Sequence, residues 1–102
     1  MSLESATAAI RAKAGTAAPL GHTIQFDLGG DGVIFWDGTQ TPPLVDNTAR
    51  DEAETTIAIS LENLDSLIAG QLNPTMAYMT GKLKIQGSMG VALKMGEMLG
   101  ED

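Results

Sequence analysis

Apolar residues recur along this chain with two alternating periods, and each change of period marks a boundary between elements. Leu3, Ala6, Thr7, Ile10 and Ala14 fall on one face at helical spacing. Ser2 is placed to cap that helix, Glu4 sits in its first turn, Arg11 and Lys13 suit its negative end, and Gly15 is a natural stop. From Thr23 to Leu28 the period drops to two, which predicts a half-buried strand. Gly29 to Gly32 reads as a turn, and Val33-Ile34-Phe35-Trp36 as a second strand with almost no polar face, ended by Asp37-Gly38. Pro42 and Pro43 forbid helix in the following loop, which holds a short extended piece near Leu44-Val45.

Alternation returns from Glu54 to Ser60, with Thr55, Ile57 and Ile59 on one face. Ser60 can cap a helix carrying Leu61, Leu64, Leu67 and Ile68, which Gly70 ends. Asn73-Pro74 opens a short helix with Met76 and Met79 that stops near Gly81. Lys82 to Gln86 alternates strictly and predicts a strand; Gly87 breaks it, and Ser88 caps a last helix from Met89 to Leu99. Short connections between these elements favour an α+β domain, an antiparallel or mixed sheet with helices layered on it.

Length makes this one domain over residues 1–102, able to bury roughly two thirds of its unfolded surface and so to fold without staples. With no cysteine, disulfides and thiolate chemistry are excluded. No apolar run is long enough for a membrane span, and neither the acidic start nor the Leu99-Gly100-Glu101-Asp102 end reads as a targeting signal, so a cytoplasmic protein is expected. A net charge of −7 argues against nucleic-acid binding. The acids crowd between Asp31 and Asp65, whereas every methionine but Met1 lies at or beyond Met76.

Catalytic chemistry is poorly supplied. His22 is the sole histidine, no serine stands in a nucleophile elbow, and a solvated or hydrogen-bonded role suits His22 better. Asp27 to Gly32 superficially resembles a calcium loop, but Gly29 and Gly38 stand where oxygen ligands are required. Gly81-Lys82 lacks the hydroxyl and the upstream glycine of a phosphate loop. Asp51, Glu52 and Glu54 read as a solvated loop. No enzyme activity, cofactor or metal is therefore expected. The last helix is more telling. Met89, Ala92, Leu93, Gly96 and Leu99 form one apolar face, Met95 and Met98 widen it, and only Lys94 and Glu97 are charged. Such a helix either fills a core on several sides or covers something apolar, and clustered methionines suit varied apolar partners.

From Thr55 onward the sequence resembles the sterol carrier protein 2 domain family. Thr55 to Ser60, Leu64 to Gly70, and Asn73 through Gly90 carry the likeness, above all Gly81-Lys82-Leu83-Lys84-Ile85 followed by Gly87, Met89 and Gly90. The resemblance implies a single-layer, five-stranded, largely antiparallel sheet covered by helices. It also implies an apolar tunnel, between sheet and C-terminal helices, for fatty acid, fatty acyl-coenzyme A, sterol or phospholipid. Lipid transfer or sequestration, with transient membrane contact, is the function it implies. Family positions put Leu64, Ile68, Met76, Met79, Met89, Leu93 and Met95 on the tunnel wall, and the apolar residues Phe35, Trp36 and Ile85 of the strands are candidates beside them. Lys82 and Lys84 can meet a ligand carboxylate or phosphate, though a solvated strand face is the plainer reading. The alternative function is a non-catalytic interaction or dimerisation module using the methionine-rich face, with the chain a monomer or a weak dimer. Both rest on apolar surface under the last helices exceeding what those helices fill.

Overall fold

The computed structural model describes residues 2–16, 21–40, 43–49 and 53–100. Its strands are β1 (Thr23–Asp27), β2 (Val33–Asp37), β3 (Leu44–Asp46), β4 (Thr55–Ile59) and β5 (Leu83–Gln86), and its helices α1 (Leu3–Thr16), α2 (Leu61–Ile68), α3 (Pro74–Met79) and α4 (Met89–Gly100). The strands form one sheet in the order β3-β2-β1-β4-β5. All neighbours run antiparallel except β1 and β4, which pair parallel with Phe26 opposite Ile57.

Local chemistry sets most boundaries where the pattern placed them. The Ser60 hydroxyl accepts from the Asn63 N–H at 3.1 Å, which ends β4 and opens α2 in one residue. Gly70, Gly81 and Gly87 all have positive φ, at the ends of α2, α3 and β5. Gly87 is required twice over, since a β-carbon there would collide with the Glu54 carbonyl oxygen. The Lys82 N–H closes the turn after α3 on the Ala77 carbonyl at 2.9 Å, so β5 starts only at Leu83. α1 runs past its expected stop, through Gly15 to Thr16. A glycine costs a helix only about 1 kcal/mol, which tertiary packing of the preceding turns offsets.

All the helices lie on one face of the sheet. Ile24, Phe26, Ile34, Trp36, Val45, Ile57, Ile59 and Leu83 point toward them, and Ala6, Ile10, Leu64, Leu67, Ala77, Ala92, Met95 and Leu99 close the core from above. Alternation sends Gln25, Thr56, Ala58, Lys84 and Gln86 to the opposite face. A buried Thr55 joins the layers, its hydroxyl accepting from the Ser88 N–H at 3.2 Å and so fixing the start of α4 over β4.

Candidate functional site

Two helices roof the β4–β5 side of the apolar sheet face, and their spacing decides what each buries. In α3 the side chain of Asn73 accepts from the Thr75 and Met76 N–H groups at 2.9 and 3.1 Å, and Pro74 occupies the first turn. Pro74 and Ala77, three apart, face inward. Met76 and Met79, also three apart on the other side, are 57% and 73% exposed. In α4 the buried set is Ala92, Met95, Gly96 and Leu99, while Met89 at its start is 44% exposed. The helices touch where Gly96 lies against Pro74.

The residues assigned to a tunnel wall are therefore divided by the structure. Trp36, Leu64 and Met95 are buried in the core, and Ile68 and Ile85 pack half-buried against it. Leu93 is half-buried on α4, and Met76, Met79 and Met89 stand in solvent. Phe35 is buried but on the other face of the sheet, because it alternates with Ile34 and Trp36, and so it does not face the helices.

Five hollows on the described surface are lined by none of these residues. The largest, about 530 Å³, is an open groove between Gly70–Pro74 and the Gly96, Glu97 and Gly100 positions of α4. Another, about 370 Å³, opens at the ends of β1 and β4 among Asp27, Leu28, Ala58, Ile59, Lys82 and Lys84, and both lysines are exposed there. Ala77, Ala92, Met95 and Leu99 are buried beneath α3 and α4, and none of these five hollows is lined by them.

Other features carried little signal in the sequence. His22 and Glu54 form a clip between the starts of β1 and β4, with Nδ1 to Oε2 at 2.8 Å. Glu54 also accepts from the Thr23 N–H, and the Thr23 hydroxyl accepts from the Glu54 N–H. Asp51 and Glu52, read with Glu54 as a solvated loop, lie outside the described residues. Within the core, Trp36 is completely buried, yet its Nε1–H has no acceptor. An unsatisfied donor in such a place costs about 1–3 kcal/mol.

Comparison with known proteins decides the family. The SCP-2 sterol transfer family matches residues 3–100, nearly the whole chain. This chain belongs to the SCP-2 sterol transfer family. Solved relatives share the fold end to end: sterol carrier protein 2-like 2 of Aedes aegypti superposes with a TM-score of 0.74 at 24% identity, covering 93% of this chain and 94% of that one. A palmitated form of the same mosquito protein gives 0.71 at 22% identity, covering 99% and 96%. The sterol carrier protein domain 2 of Helicoverpa armigera gives 0.68 at 25% identity, covering 94% of this chain and 83% of that one. Among curated sequences, hydroxysteroid dehydrogenase-like protein 2 of Danio rerio is 33% identical over 85 residues, which is 74% of this chain and 19% of that protein. Its Xenopus laevis counterpart is 47% identical over 47 residues, 44% of this chain and 11% of that one. The chain thus spans a fifth or less of these two relatives, and their dehydrogenase name belongs to proteins of which this SCP-2 unit is a small part. No described helix is long and apolar enough to cross a membrane.

Proposed function

We propose that this SCP-2 domain binds one apolar lipid chain between its sheet and the α3–α4 roof, and that it carries or sequesters that lipid without chemical change. The observation that carries the reading is the placement of methionine. Met76, Met79 and Met89 stand in solvent on the same two helices that cover the apolar sheet face, while Met95 fills the space beneath. Flexible, polarisable side chains at the rim and in the interior can repack around a guest chain. Because Met95 and its neighbours are buried, a guest enters as α3 and α4 lift and those side chains rearrange, so the site is shaped by its ligand. That a relative of the same fold is described as palmitated supports a fatty-acyl chain as one guest.

Magnitudes fit a carrier. Burying ten or twelve methylenes contributes roughly 8–10 kcal/mol gross. Lost rigid-body freedom and chain ordering offset several kcal/mol of this, and lifting the roof costs more. With a micromolar dissociation constant worth about 8 kcal/mol, the net affinity falls at roughly tens to hundreds of micromolar, weak enough to release cargo on transient contact with a membrane. The net charge of −7 favours contact with neutral rather than anionic surfaces.

Native mass spectrometry of freshly purified protein tests this. The reading requires a co-purified lipid, or uptake of one added lipid per chain; protein that stays empty over a range of added fatty acids, acyl esters and sterols contradicts it. A second reading, that the exposed methionines dock a protein or a second copy, is favoured by the same rim residues. Sedimentation of a dimer that added lipid leaves intact would support it instead.

A further inference from the structure

Among the described residues, the indole nitrogen of Trp36 is the one buried side-chain nitrogen or oxygen without a hydrogen-bond partner. Its ring is closely packed at one edge. The outer edge of its six-membered ring lies on the backbone of Gly38, where a β-carbon would overlap ring carbons Cζ3 and Cη2. Its own backbone is held from both sides in the sheet, opposite Ile24 of β1 and Val45 of β3. The N–H is left in the same continuous apolar cluster as Met95, on β2, two strands across the sheet from β4.

We infer that the Trp36 N–H is the polar contact for the oxygen-bearing end of a lipid buried in this layer, and that it selects a neutral oxygen, such as a hydroxyl or ester carbonyl. This rests on the lipid-binding reading above and specifies the class of guest. A plain hydrocarbon leaves the donor as unsatisfied as before. A carboxylate carries a charge that needs a buried partner, and the buried polar side chains of the described core are Thr7 and Thr55, both uncharged. One neutral donor matches one neutral acceptor.

The chain has a single tryptophan, so its indole proton is a single, assignable resonance in the intact protein. With saturating dodecan-1-ol, that proton should move downfield and exchange with solvent more slowly. Dodecane should enter, as read by the Met95 methyl resonance, without moving the indole proton downfield, and dodecanoate should move it less than the alcohol. Alcohol binding with the indole proton unmoved overturns the inference alone; so does an equal response to dodecanoate. Failure of all these probes to perturb Met95 overturns the lipid-binding reading and the inference with it. In Trp36→Phe, which keeps an aromatic body without the donor, affinity for dodecan-1-ol should fall roughly tenfold relative to that for dodecane, a ratio in which the volume lost with the indole cancels. Equal losses for both ligands contradict a hydrogen-bonding role. The indole measurement on the unaltered chain stands whether or not this variant folds.

Discussion

Gly96 of α4 and Pro74 of α3 meet so closely that a β-carbon at position 96 would lie 2.6 Å from the proline Cβ. This contact holds the short helix down on the long one over the apolar sheet face. Gly96→Ala must therefore push the helices apart. Overpacking of this kind costs about 1–3 kcal/mol, which urea unfolding will register. If the roof must lift for a lipid to enter, the same variant should also take up a fluorescent fatty acid faster than the parent chain.

Asn73→Ala acts on the same roof by a different route. Losing the oxygen that accepts from Thr75 and Met76 should cost about 1 kcal/mol. A helix of six residues has little stability of its own. Hydrogen exchange should accelerate selectively in α3, with β1 and β2 unaffected.

Core and rim methionines should separate cleanly. Met95→Ala removes a fully buried side chain and should cost about 2–5 kcal/mol. Met79→Gln changes an exposed position and should stay within about 0.5 kcal/mol of the parent in urea unfolding, yet it should slow lipid uptake by making the rim polar.

The clip at the other end of the sheet is a minor contributor. Glu54→Ala deletes the acceptor for His22 and for the Thr23 N–H, but both side chains of the pair are about half exposed, at 45% and 55%. Water replaces the lost partner, so the cost should be under about 1 kcal/mol, with lipid binding unchanged. A larger loss of stability would show that the two strand starts depend on it more than their exposure implies.

Ser60, Asn73 and Ser88 announced their helices in the sequence because a cap is local: the oxygen that accepts lies within three residues of the N–H that donates. Sheet faces were equally legible, since Ile57 and Ile59 alternate whatever the fold around them. Phe35 was not, because Ile34, Phe35 and Trp36 are all apolar and a continuous run hides which residue faces the helices. The split of the methionines was hidden for a related reason. Periodicity shows that Met76, Met89 and Met95 are apolar, but whether each is covered depends on how α3 and α4 cross, which Gly96 and Pro74 decide through space. The His22–Glu54 clip joins residues 32 apart that only the parallel pairing of β1 with β4 brings together.

The most direct test follows the methyl groups of the methionines in the intact protein as a long-chain alcohol or fatty acid is added. A lipid that enters beneath the roof should shift Met95, buried at 0% exposure, along a saturable one-site curve. Changes confined to Met76, Met79 and Met89, or no saturable change by about millimolar ligand, would show that the interior stays shut and that the exposed face does something else.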